Sequence, residues 1–277
     1  MIPLQYEATI RTALAEDLSQ GDITSAAIVE GQQVSTAVIV AKQAGILAGL
    51  PVMEAVFRLV DQELAFTTRL QDGDKVVPGQ EIARVSGPTA SLLSGERTAL
   101  NFLQRLSGVA TVTGQAVAQT DGLKTQVIDT RKTTPGLRQL EKYAVLMGGG
   151  RNHRYCLGDA VMIKDNHIAA AGGITEAVSR VRRRIGPTVK IEVETEDLGQ
   201  VEEALANKVD IIMLDNMPVE MMIRAVELVG GRALTEASGG LRLDNIRQVS
   251  QTGVDYVSLG WLTHSAQALD ISLNIID

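Results

Sequence analysis

After about residue 120 the chain settles into one repeated rhythm: a short β-like run, a loop, then an apolar helical stretch. This alternation limits the possible folds more than any other feature. Strands are predicted at 126–129, 160–164, 189–194, 210–215, 232–237 and 254–260, with helices at 175–184, 198–206 and 219–229 among the connections. Strands separated by helices pair in parallel, and about six such units predict an incomplete α/β barrel rather than an open sheet.

The polar residues fall in a regular place. Each β-like run finishes in a side chain able to do chemistry: Asp129 with Arg131, Lys164 with Asp165, Glu194, Asp215, Glu236 with Ser238, and Ser258. The carboxyl ends of barrel strands converge on one rim, where active sites lie. One polar strand end would be a helix cap; six argue for a site. Lys190, Glu192 and Glu194 alternate along one strand and share a face, and Glu192, the deeper acid, reads as an internal ion pair.

The first part of the chain differs. Between Val34 and Ser86, β-like runs at 35–41, 65–70 and 82–85 alternate with the turns Asp72-Gly-Asp74 and Pro78-Gly79, predicting an antiparallel sheet. The segment 72–80 resembles the hairpin of biotinyl and lipoyl carrier domains, but no lysine sits at a tight turn tip. A helix is expected from an N-cap at Ser91 or Ser94 to Leu106. Its apolar stripe is Leu92, Ala99, Leu100, Leu103 and Leu106, with Arg97, Asn101 and Arg105 on another face.

With 26 basic and 33 acidic residues the net charge is −7, which disfavours nucleic acid. Positive charge is nevertheless concentrated in Asp129-Thr-Arg131-Lys132-Thr-Thr-Pro-Gly136, in Gly148-Gly-Gly-Arg151-Asn-His153-Arg154 and at Lys164. Arginine holds carboxylate or phosphate with a two-pronged fork and lysine adds a compact charge, so the cluster predicts a small polyanionic ligand. Gly148-Gly-Gly150 reads as a helix C-cap that lets the backbone approach a ligand. Glu194 and Asp215 suit a divalent metal or sugar hydroxyls, and Ser238-Gly239-Gly240 with Ser258 and Gly260 suit phosphate. Trp261, Tyr256 and the methionines read as packing. A lone cysteine, Cys156, no signal-peptide pattern and no apolar run of membrane-spanning length predict a cytoplasmic setting.

Several stretches together resemble the quinolinate phosphoribosyltransferases: Glu16-Asp17 with Gly21-Asp-Ile-Thr24, Gly95-Glu-Arg97-Thr-Ala-Leu-Asn101, Asp129 to Gly136, Gly148 to Arg154, Ile163-Lys-Asp-Asn-His167, Leu214-Asp-Asn216, Glu236-Ala-Ser-Gly-Gly240 and Leu262-Thr-His-Ser265. They span nearly the whole chain in order. Cys156 is a departure, standing where many relatives carry glycine.

The resemblance implies an N-terminal α+β open β-sandwich-like domain at 1–108, an incomplete α/β barrel at 109–264, and a final segment at 265–277 returning to the first domain. It implies transfer of ribose phosphate from phosphoribosyl pyrophosphate to quinolinate with loss of CO2, giving nicotinate mononucleotide and pyrophosphate for NAD biosynthesis. Arg131, Lys132, His153, Arg154 and Lys164 would surround the anions. Glu194 and Asp215 would meet ribose hydroxyls or Mg2+, directly or through water, and Ser238, Gly239, Gly240, Ser258 and Gly260 the 5′-phosphate; Lys132, Lys164, Glu194 and Asp215 are the catalytic candidates. It also implies a homodimer, assembled in some members to a hexamer, in which Arg97 serves the neighbouring subunit's site. A related phosphoribosyltransferase with another acceptor would lack part of the clamp formed by Arg97, Arg131, His153, Arg154 and Lys164, and a non-catalytic binding barrel would not need Glu194 and Asp215.

Overall fold

The structure, a computed structural model, describes residues 4–276. In chain order the elements are α1 (Leu4–Leu18), α2 (Ile23–Ile28), β1 (Val34–Ala41), β2 (Gly45–Ile46), α3 (Leu50–Val60), β3 (Ala65–Thr68), β4 (Lys75–Val76), β5 (Glu81–Pro88) and α4 (Thr89–Gln119). They continue with β6 (Gln126–Ile128), α5 (Arg138–Met147), β7 (Val161–Ile163), α6 (Asp165–Ala171), α7 (Ile174–Arg182), β8 (Ile191–Thr195), α8 (Leu198–Ala206) and β9 (Ile211–Asp215). The last are α9 (Val219–Val229), β10 (Leu234–Ser238), α10 (Ile246–Ser250), β11 (Tyr256–Ser258), α11 (Trp261–His264) and β12 (Ile271–Ile275).

Two compact units emerge. The first holds the described residues up to Gly114, Thr133–Gly149 and those from Leu262 onward; the second holds Gln115–Lys132 and Gly150–Trp261. In the first, an antiparallel sheet of order β12-β1-β5-β3 is built on β1, which buries Ala37, Val38, Ile39 and Ala41. Helix α4 is longer than the predicted span. It starts at Thr89, directly after β5, so Ser91 and Ser94 lie inside it instead of capping it. Their hydroxyls donate to Asp61 and Asp22 at 2.6 and 3.1 Å. In place of ending at Leu106, the helix continues to Gln119 because Val109, Ala110 and Ala116 extend its buried face.

The segment Thr133–Gly149, expected with the barrel, belongs to the first unit. Glu141 explains this. It is fully buried, receives Arg105 at 2.7 Å and accepts from the Thr134 amide and hydroxyl at 2.9 and 2.8 Å. A buried carboxylate held by a guanidinium and two local donors is costly to break, so it ties α5 to α4. Arg105 is thereby an anchor of this unit.

The second unit contains the six-stranded sheet of order β6-β11-β10-β9-β8-β7, parallel throughout. Beyond β6 the ladder gains one more parallel bridge, Ile128 to Arg151, and the Arg154 side chain donates to the carbonyl of Ala160, next to β7, at 3.0 Å. The barrel is therefore incomplete on the side between Arg151 and β7. Val127, Ile163, Val193, Ile212, Leu214, Ala237 and Val257 are buried, alternating along the strands with the residues that face the barrel cavities.

Candidate active site

Alternation along the strands sorts the barrel's residues into layers. At the amino ends, Ile211, Leu234 and Tyr256 line a rear chamber. At the carboxyl ends, Lys164, Glu194, Asp215, Ser238 and Ser258 line a front cavity of about 530 Å3. Between them lie Glu192, Met213 and Glu236, which are 2 %, 4 % and 1 % exposed. Two carboxylates in a barrel's middle layer, where apolar packing is the rule, need compensation.

The compensation comes from the loop after α5. The carboxylate of Asp129, itself fully buried, accepts the His153 backbone N–H at 2.8 Å. This seats the His153 ring with Nε2 3.0 Å from Glu192 Oε2 and 3.4 Å from Glu236 Oε2. Burial works against a charged imidazole, but hydrogen bonds and charge from Glu192 and Glu236 outweigh it and push His153 up to about 10. Burial raises Glu192, as does the charge of Glu236, while His153 and Arg154 oppose the rise. Arg154 is lowered by burial and by the like charge of Arg131. At the other ring nitrogen, Nδ1 accepts the Arg154 amide at 2.7 Å. That bond requires the neutral ring, with its one proton on Nε2 facing the two carboxylates; the three ligand-type atoms lie within 4.8 Å of one another.

At the rim, Lys164 pairs with Glu194 from the neighbouring strand. Asp215 accepts from the Asn216 side chain at 2.7 Å. Asn216 has a positive φ of 53°, and its side-chain oxygen stands where a Cβ on Gly239 would fall, 2.1 Å away. Gly239, at φ +87°, is the residue that permits this approach. His167 caps α6, its Nδ1 accepting the Lys164 amide at 3.0 Å.

The cavity thus gathers Arg131, Lys132, His153, Arg154, Lys164, Glu194, Asp215, Ser238, Gly239 and Ser258. Gly240 and Gly260 are not among its lining residues. Gly240 takes φ +64°, and its carbonyl accepts from Asn245 at 3.1 Å. Arg97 lies in the other unit, on α4, along a groove of about 280 Å3 with Glu16, Asp17 and Asn101. Asp129 is a buried support rather than a wall of the cavity. Met162 and Met213, read from the sequence as packing, also line it. Alternation marked their face, but not how far the cavity reaches down the barrel.

The chain matches the family model of the quinolinate phosphoribosyl transferase N-terminal domain over residues 22–107 and of its C-terminal domain over residues 109–274. It is 47% identical to a probable nicotinate-nucleotide pyrophosphorylase (carboxylating) of Bacillus subtilis, covering 98% of this chain and 94% of the relative. A relative of the same description from Synechocystis is 44% identical over 95% of this chain and 90% of its own length. Among solved structures, NadC from Streptococcus pyogenes superposes with a TM-score of 0.96 at 44% identity, covering 100% of this chain and 99% of that one. The six-stranded parallel barrel, the separate antiparallel sheet and these matches over nearly the full length agree: the chain belongs to the quinolinate phosphoribosyl transferase family.

Proposed function

We propose that this chain transfers the phosphoribosyl group of phosphoribosyl pyrophosphate to the ring nitrogen of quinolinate, with loss of CO2, to give nicotinate mononucleotide and pyrophosphate. The observation that carries the reading is the division of the cavity lining. Cations from the loops after β6 and α5 and from the end of β7 occupy one part. Hydroxyl and glycine backbone from the ends of β10 and β11 occupy another, with Glu194 and Asp215 on the strands between. That arrangement suits a ligand with carboxylates at one end and a sugar phosphate at the other.

Arg131, Arg154 and Lys132 hold the two carboxylates and, with the His153 ring in the wall beside them, fix the ring nitrogen toward the anomeric carbon. Ser238, Gly239 and Ser258, which line the cavity, receive the 5′-phosphate, with Gly240 and Gly260 shaping the loops that carry them. As pyrophosphate departs, positive charge grows on the ribose, and Glu194 and Asp215 offset it. Lys164, paired to Glu194, sets the orientation of that carboxylate. Magnesium fits as an ion delivered on the pyrophosphate: Glu194 already holds Lys164 and Asp215 holds Asn216, so the two can touch an ion but do not cage one. When bound, the ion neutralises charge on the leaving pyrophosphate. Loss of the 2-carboxylate follows because the positive ring nitrogen stabilises the carbanion, and no protein base is required.

Arg97, outside the cavity lining, fits a role at a second copy's site in a homodimer, with a hexamer as the larger assembly. Among the described residues no helix is long and apolar enough to cross a membrane, and a cytoplasmic setting agrees with the lone cysteine. Purified protein given quinolinate, phosphoribosyl pyrophosphate and Mg2+ is expected to release CO2 and form nicotinate mononucleotide. Turnover of nicotinate with none of quinolinate would overturn the reading.

A further inference from the structure

Among the described residues only two other than glycine take a positive φ, Lys208 and Asn216. Lys208 precedes β9, at the amino end of the sheet, whereas Asn216 directly follows β9 and lines the front cavity. A left-handed conformation costs free energy in any residue with a Cβ, and it persists where the surroundings fix it. Here they fix it from two strands. Asp215 and Ser238 are register partners at the ends of β9 and β10, and the Asn216 amide donates to the Ser238 carbonyl at 2.8 Å, carrying the ladder past the strand ends. The Asn216 side chain donates from Nδ2 to Asp215 Oδ2 at 2.7 Å. It also covers Gly239: the three atoms nearest to where a Cβ on Gly239 would stand are Oδ1, Cγ and Nδ2 of Asn216.

We propose that Asn216 is a positioning residue that locks the Asp215 carboxylate to the loop of Ser238 and Gly239, so that the group facing the ribose and the groups receiving the 5′-phosphate stand at one fixed spacing. The inference rests on the phosphoribosyl transfer proposed above. Within a ribose 5-phosphate the span from phosphate to ring is set by covalent bonds, so a site gains from holding both ends only where its own groups match that span. Asp215 at a strand end would otherwise sample several rotamers. One hydrogen bond selects among them, and it comes from a side chain that is itself held against the neighbouring strand's loop.

The residue type fits this task. Asparagine tolerates the left-handed region better than most residues with a Cβ. An ionised carboxylate only accepts, so the side-chain NH2 is the end that faces Asp215, leaving the oxygen over Gly239. Aspartate would tolerate the same turn but would offer no donor and would set a second negative charge beside the first.

The test separates the side chain from the turn. Asn216→Gly takes the same φ without strain and keeps the backbone N–H on Ser238, so it removes only the side chain; Asn216→Asp keeps the shape and loses the donor. Both are expected to lower kcat/KM for phosphoribosyl pyrophosphate by about 10-fold or more, the scale of one hydrogen bond to a charged group. They are also expected to leave KM for quinolinate within about twofold, and to weaken binding of ribose 5-phosphate, titrated by calorimetry without Mg2+, by a similar factor. Gly239→Ala is expected to reproduce the pattern, and to cost less when added to Asn216→Gly than when made alone, because the side chain it displaces is already gone. Unchanged ribose 5-phosphate binding in both Asn216 variants overturns the inference. So do equal losses toward quinolinate, or strict additivity of Gly239→Ala with Asn216→Gly. Failure of the wild type to consume quinolinate would instead overturn the parent reading.

Discussion

Glu192 and Glu236 tie the chemistry of the barrel to its stability through His153. An imidazole in an unfolded chain titrates near ~6.5, whereas His153 in the folded protein is pushed up to about 10. Its pKa is raised on folding, so its stabilisation is complete below the unfolded value and is lost as pH climbs through the folded one. The gap in urea midpoint between wild type and His153→Gln is therefore expected to shrink between pH 7 and pH 10; a constant gap would contradict the ion cluster. At the front of the same cavity, Arg131→Ala is expected to weaken quinolinate binding by about 2–5 kcal/mol, the range for removing one partner of a desolvated charge pair. Unchanged affinity by calorimetry would remove Arg131 from the clamp. The rim residues were legible because strand alternation and strand ends are written in the sequence. The depth of Glu192 and its contact with His153 were not: alternation gives the face of a residue but not its layer, and the loop that carries His153 has no period.

Among the elements, helices α8 and α9 coincide with the spans 198–206 and 219–229 because their stops are local. Asp197 caps α8 by accepting the Gln200 amide at 2.8 Å, and Gly230, at φ +53°, closes α9. The end of α4 has no such signal. Gly108 and Gly114 lie in its path, where glycine costs a helix roughly 1 kcal/mol, and they are there because another segment presses against them. A Cβ on Gly108 would fall 2.0 Å from the Gln267 carbonyl, in the stretch between α11 and β12. That stretch is stitched to α4 by the Leu269 amide on the Gln104 carbonyl at 2.9 Å and by the Gln104 side chain on the Ile271 carbonyl at 2.6 Å. Gly108→Ala is accordingly expected to cost about 3 kcal/mol or more, a backbone clash with no flexible side chain to yield. Gly186→Ala, with open space and no positive φ, is expected to be near neutral. Equal urea midpoints for the two variants would rule out the close approach.

For the whole molecule, the two-part organisation was legible as a change of rhythm, period two giving way to strand and helix in alternation. The return of the last strand to the first sheet was not legible from pattern, because nothing within residues 271–275 names a partner at residues 37–41; only the family resemblance supplied it. The proposed sharing of sites between subunits has its own test. Arg97→Ala and Lys164→Ala proteins, each inactive alone, are expected to recover part of the activity when mixed and allowed to exchange subunits. No recovery in confirmed mixed dimers would place both residues in one subunit's site. The pairing of β12 with β1 also bears on how the chain is made. During synthesis β1 is made early and β12 last of all the strands, so the first sheet stays one strand short until every strand of the barrel has been made. An unpaired sheet edge invites association with other chains, so premature termination shortly before residue 271 is a greater hazard to the cell's protein quality control than the loss of so few residues suggests.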